Sequence, residues 1–259
     1  MKTIFEGKEI VIVEVCSRNG GKNTQNLLLL GNGFSIGDKG FFIPKNKDFQ
    51  KYGHVLSVFF KEECESLEKA EEELFVFLNE EYEHYFRVIL YGSGRSGLVF
   101  YNLVTRLKRT VTLITVSTPF GGCFWSNEWR VRKYLFENRI FLGKLRYYLG
   151  KVLYPINRLD FHTVIGSKYL VQTKKRKMPA GHIVANVVTY CGDIGNELRQ
   201  GGFKNAIYAY LNRLARYYSG NGIVSINSQQ ACDTRVNYSI HANYADAFER
   251  ARIILSELI

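Results

Sequence analysis

Residues Val88 to Leu98 read VILYGSGRSGL. The apolar run suits a buried strand, the glycines mark a sharp turn, and a helix start follows. Two motifs compete for such a strand, turn and helix. Gly92 to Gly97 (GSGRSG) satisfies G-x-G-x-x-G, the turn that cradles a dinucleotide's phosphates. That motif expects an acid about 20 residues on, at the end of the next strand, to hold the ribose. Here the next strand runs into TVSTPFGG (Thr115 to Gly122), which contains no acid. The fingerprint also normally opens the first βαβ unit, whereas several apolar segments precede this one. The other motif is the elbow G-x-S-x-G, which presents a serine nucleophile at the tip of a strained turn. In its glycine, any, serine, any, small, glycine form, Gly92 takes the first glycine and Gly94 falls on the serine. The second motif fits better, and the residue that would carry its chemistry is missing.

Working outward, the chain alternates strand and helix. TIFEGKE and IVIVEVC, within Lys2 to Arg18, predict a tight hairpin. After a polar turn at Asn19 to Asn23, NLLLLGNGF (Asn26 to Phe34) is a continuous apolar run ended by glycines. Such a run suits a strand buried on both faces of a mainly parallel sheet. HVLSVFF (His54 to Phe60) is another strand. The stretch Cys64 to Phe86 sets Leu67, Leu74, Phe77 and Leu78 among glutamates, which predicts an amphipathic helix. A helix over Ser96 to Arg109 and a strand over Val111 to Val116 follow the elbow. Val184 to Tyr190 predicts a strand, Asn205 to Tyr218 a helix, Val236 to Ile240 a short strand and Ala245 to Leu258 a closing helix. This alternation points to right-handed βαβ units and an α/β class.

One stretch breaks the pattern. From Cys123 to about His182 the sequence is basic and aromatic, with Trp125, Trp129, Tyr134, Phe136, Phe141, Tyr147 and Tyr148 interleaved with Lys and Arg. Between Cys123 and Ala180 there are thirteen Lys or Arg against three acids (Glu128, Glu137, Asp160), so most of the net charge of +11 sits here. With no repeat or linker elsewhere, the 259 residues predict a single domain over 1–259 with a cap inserted at 123–182. Hydrophobic content of 46% and charged content of 23% are those of a globular chain. No apolar run approaches the roughly 18 residues of a membrane span, and no leader pattern is visible. Five cysteines without CxxC pairing suggest neither a disulfide framework nor a zinc site. The expectation is a cytoplasmic protein, peripheral at most to a membrane.

Four segments in order resemble the lipase and esterase branch of the α/β-hydrolase superfamily, from about Asn26 to the C-terminus. LLLLGNGF resembles the strand and His-Gly turn that shape the oxyanion hole, with Asn32 where histidine is usual. The elbow is the second segment. VTLITVSTPFGG (Val111 to Gly122) is similar to the strand ending Thr-Pro-His-x-Gly. SGNGIVSINSQQ (Ser219 to Gln230) resembles the acid loop Asp-Gly-x-Val-x-x-x-Ser, and IHANY (Ile240 to Tyr244) stands where the triad histidine is placed. The resemblance implies an α/β-hydrolase fold, a mostly parallel sheet with helices on both faces and a basic aromatic cap. It also implies an oxyanion pocket around Asn32, Gly33, Phe34 and Arg95.

The departures fall on the chemistry. Gly94 stands at the nucleophile position and Asn221 at the acid position, leaving His241 of the three. A triad needs an oxygen nucleophile, a base to take its proton and a carboxylate to orient and stabilise that base. Ser93 and Ser96 flank Gly94 as candidates for a displaced nucleophile, although side chains beside an elbow tip point elsewhere. Asp193, after VVTYCG, is a candidate replacement acid. Glycine suits the tip, since a serine held at positive φ stores about 1–3 kcal/mol that glycine avoids. The expectation is a lipase-like pseudo-hydrolase that binds an acyl or lipid-like ligand or a partner. One alternative is a serine esterase, thioesterase or lipase whose nucleophile was removed by mutation or moved to Ser93 or Ser96. Another is a protein that meets an anionic membrane through the cap, or less readily nucleic acid, aided by the KKRK run at Lys174 to Lys177. No cofactor and no metal-ligand spacing is expected.

Overall fold

The computed structural model describes residues 2–17, 25–35, 49–61, 64–123, 162–214, 220–230, 234, 236–244 and 246–259. The greater part of the expected cap, 124–161, lies outside the described residues. Eight strands form one sheet: β1 (Lys2–Glu6), β2 (Ile10–Cys16), β3 (Asn26–Ser35), β4 (His54–Phe60), β5 (Arg87–Ser93), β6 (Val111–Val116), β7 (Ile183–Tyr190) and β8 (Val236–His241). Their spatial order is β1-β2-β4-β3-β5-β6-β7-β8. The hairpin β1–β2 and the pair β2–β4 are antiparallel, and every later pair is parallel.

Seven α-helices lie among the described residues: α1 (Leu67–Glu81), α2 (Gly94–Val104), α3 (Lys168–Lys175), α4 (Ile194–Leu214), α5 (Ile226–Gln229), α6 (Ala247–Arg250) and α7 (Ile253–Leu258). The apolar runs of the central strands alternate between two cores. Leu27, Leu29, Leu90 and Leu113 pack with Leu74, Leu78, Leu103 and Leu170. Leu28, Leu30, Ile89 and Ile114 pack with Phe49, Phe248, Ile254 and Leu255 on the other face. A strand covered on both sides has no polar alternation to show, which is why NLLLLG reads as a continuous run. Each of Leu27 to Leu30 is fully buried, a contribution of about 1.5–3 kcal/mol per side chain.

The structure shifts several boundaries. The helix expected at Asn205 begins at Ile194 and bends at Gly202, where φ is +70°; residues 215–218 of the expected element lie outside the described residues. The closing helix is two short ones, broken at Ala251 and Arg252. The sequence expected no helix over Lys168–Lys175. It is capped by the Ser167 hydroxyl, which accepts from the Leu170 N–H, and it seats Tyr169 and Leu170 in the first core. Cys123 pairs with Val164 as an isolated bridge, and the Cys123 N–H donates to the Thr163 carbonyl at 2.7 Å. Cys123 therefore lies side by side with Thr163 and Val164. Among the described residues no helix is long and apolar enough to cross a membrane, and no cluster of three or more His, Cys, Asp or Glu could hold a metal.

Candidate functional site

The site is built around the turn from β5 into α2. Gly94 sits at its tip with φ +54°, while Ser93 before it remains extended. This is the left-handed region, where a β-carbon is strained. The flanking small residues follow from close packing. A Cβ on Gly92 would lie 2.9 Å from the Gly97 backbone nitrogen, and one on Gly31 would lie 2.5 Å from the Ser96 Cβ. Gly97 in turn lies against the Thr118 hydroxyl. The turn closes because glycine occupies both its shoulders and a serine lies beneath it.

Neighbouring strands place the other expected residues. Gly31 pairs with Gly92 as the last rung between β3 and β5. The backbone of Asn32, Gly33 and Phe34 continues β3 beyond that rung, where the pairing with β4 becomes irregular before Ser35. Ser93 and Ser96 are buried, 6% and 1% exposed. The Arg95 guanidinium lies over the Phe60 ring, 5.9 Å from its centroid.

Asn221 is fully buried and hydrogen-bonded through both ends of its amide. Its Oδ1 accepts from the backbone of Ile223 and Val224 at 3.1 and 2.9 Å, and its Nδ2 donates to the Thr189 hydroxyl at 2.8 Å. Thr189 passes a hydrogen bond on to Gln229 Oε1 at 3.2 Å and meets the Ser117 hydroxyl at 2.5 Å. Gln229 closes the network through the carbonyls of Thr189 and Val224. Ser117 itself holds φ +50° at the end of β6. Interior polar groups tied this completely fix the geometry of the loops that carry them.

His241 ends β8 and meets an acid the sequence did not single out. Its Nε2 lies 3.0 Å from Glu197 Oε1 on α4, a carboxylate whose side chain is 4% exposed. The same oxygen accepts the Gly192 N–H at 3.1 Å. Tyr190 meets the imidazole edge to face at 5.4 Å, and a Cβ on Gly192 would come within 3.0 Å of Nε2. Asp193, the acid expected from the sequence, is exposed, and its backbone carbonyl accepts the Glu197 N–H at 3.0 Å. Cys191 lies alongside. Burial and the Glu197 carboxylate push its thiol up to about 12, so it stays protonated and unreactive at neutral pH.

The side chain that reaches the elbow tip is Tyr244, three residues past His241. A Cβ built on Gly94 would lie 2.5 Å from the Tyr244 hydroxyl oxygen, and among the described residues the three atoms nearest that point all belong to Tyr244. The Tyr244 N–H donates to the Asn221 carbonyl at 3.1 Å. Gly94, Tyr244 and Asn221 are thus consecutive links, while His241 engages Glu197.

No protein-family model matches this chain, and no curated protein matches it. Solved structures do. The mature form of the Bacillus licheniformis lipase BlEst2 aligns with a TM-score of 0.54 at 16% identity, covering 90% of this chain and 90% of that one. YbtT, a type II thioesterase from the yersiniabactin biosynthetic pathway, aligns with a TM-score of 0.50 at 14% identity, covering 95% and 96%. At such identities the likeness is one of fold. The chain has the α/β-hydrolase fold, like this lipase and this thioesterase.

Proposed function

We propose that this protein is a lipase- and esterase-like pseudo-hydrolase, which has lost ester cleavage and works by binding an acyl or lipid-like ligand or a macromolecular partner. The observation that carries the reading is Gly94, which stands at positive φ on the elbow tip and offers no atom to attack a carbonyl. The surroundings agree with it. Asn221 at the acid position is neutral and uses its polar atoms within its own loops. His241 meets Glu197 through Nε2, the ring nitrogen that in a triad faces the nucleophile. Ser93 and Ser96 are buried, at 6% and 1% exposed, beside the tip and not on it.

A fluorophosphonate probe tests this, applied to the protein beside Gly94→Ser and Gly94→Ser/Asn221→Asp variants. The expected result is no labelling of the protein itself, with any labelling confined to variants that carry the new serine. Labelling of the unmodified chain at Ser93 or Ser96 overturns the proposal and establishes a displaced nucleophile.

A further inference from the structure

We propose that Tyr244 closes the elbow: its hydroxyl fills the space of a side chain at position 94, so the site carries its own occupant and a ligand reaches this centre only when Tyr244 leaves. The inference rests on the reading of Gly94 as the former nucleophile position and deepens it with an autoinhibitory contact.

Three observations support it. The distance is the first, since 2.5 Å between a β-carbon and the phenolic oxygen is well inside van der Waals contact. The second is that Tyr244 is held from both sides. Its N–H is bonded to Asn221, and the Ala242 N–H is bonded to the Tyr190 carbonyl at 2.8 Å. Asn243 and Asp246, which bracket it in the chain, bind each other, Nδ2 to carboxylate at 2.8 Å and Asp246 N–H to Oδ1 at 3.0 Å. Third, the ring packs with Ile223 against Cys191 and Ala209. Asn221 is itself fixed by Thr189, Ile223 and Val224, so the loop read as the former acid loop now steadies the residue that covers the former nucleophile position. Restoring serine at 94 therefore does not suffice to rebuild a working centre, because its side chain and the phenol compete for one volume.

A double-mutant cycle tests the contact without needing a ligand. Thermal unfolding is measured for the protein, Gly94→Ala, Tyr244→Phe and the double variant. The strain of a β-carbon at φ +54° is present in both backgrounds and cancels. The clash with the hydroxyl does not cancel, since the next ring atom, Cζ, lies at 3.5 Å, an ordinary contact. Gly94→Ala is expected to lower the midpoint by roughly 2–4 °C more when the Tyr244 hydroxyl is present than in the Tyr244→Phe background. Equal losses in the two backgrounds overturn the proposal. Should Gly94→Ala fail to fold, recovery of folded protein in Gly94→Ala/Tyr244→Phe supports it, and failure of both overturns it. Probe labelling of the unmodified chain would sink the pseudo-hydrolase reading and leave this cycle's result standing, so the two failures are distinguishable.

Discussion

Glu197 holds His241 through the imidazole Nε2 at 3.0 Å, a buried carboxylate against a ring about one-third exposed. Because Glu197 Oε1 also takes the Gly192 N–H, one oxygen joins the start of α4, the loop after β7 and the end of β8. Glu197→Ala removes both bonds at once and leaves the Gly192 N–H without that acceptor. The expected cost is about 1–3 kcal/mol, read as a lower urea midpoint. Glu197→Gln keeps an acceptor oxygen and should lose much less. Equal losses from the two variants would mean that packing, not the hydrogen bonds, is what Glu197 supplies.

Asn221→Asp places a carboxylate at the position that the sequence reading aligns with the hydrolase acid loop. Here it is expected to weaken the protein. The Nδ2 donor to Thr189 disappears, and a charge enters a site with no exposed surface, whose bonded neighbours Thr189, Ile223 and Val224 carry no positive charge. Thr189 can turn its hydroxyl toward the new carboxylate only by abandoning Gln229. A loss of about 1–3 kcal/mol follows, measurable by denaturant unfolding at neutral pH. A stability equal to or above that of the unmodified protein would show that this pocket still accepts a carboxylate.

The central strands β3 to β7 were legible in the sequence because each is a short apolar run bounded by turns, and burial on both faces makes such runs hard to mistake. The elbow was legible for a steric reason: Gly92, Ser96 and Gly97 are small because Phe100, Gly31 and Thr118 crowd them. Glu197 was not legible. Its surroundings, NELRQGGF, are polar and contain two glycines, so the sequence pattern assigns no element there, and α4 bends at Gly202 within that stretch. Tyr244 stood out only as the end of IHANY. Nothing local ties it to a glycine 150 residues earlier, and only the fold makes that contact. Lys168–Lys175 was absorbed into a basic cap because its charge hid the narrow face of Tyr169, Leu170 and Thr173.

That helix bears on the KKRK run. Arg176 donates to Glu71 Oε1 at 2.6 Å and to the Asn102 carbonyl at 3.0 Å. Glu71 is 2% exposed and is shared with Arg106 at 3.4 Å. One of the four basic residues is therefore engaged in the body and pins the end of α3. Arg176→Ala leaves Glu71 to the longer bond alone, which should cost roughly 1–3 kcal/mol. Limited proteolysis is expected to cut the chain near Lys174 to Lys177 faster in the variant. An unchanged digestion rate and midpoint would mean that the apolar seat of Tyr169 and Leu170 is enough to hold α3.

Cys191 gives the last prediction, in pH. Burial first, and the Glu197 carboxylate second, raise its thiol from an ordinary value of 9.0 to about 12. The native state therefore keeps this proton between pH 9 and about 12, while the unfolded chain gives it up. Stability rises with pH only where the unfolded state binds more protons. Here it binds fewer, so this contribution is fully present below about pH 9 and is lost as pH climbs toward 12. Cys191→Ala removes the titrating group together with its hydrogen bond to the Gly220 carbonyl, so the informative quantity is the slope. Between about pH 9 and 11 the unmodified protein should lose stability in urea faster than the variant. The native thiol should also react slowly with a disulfide reagent at about pH 8. Parallel slopes with rapid labelling would show that Cys191 is solvated and that Glu197 is not close enough to hold its proton.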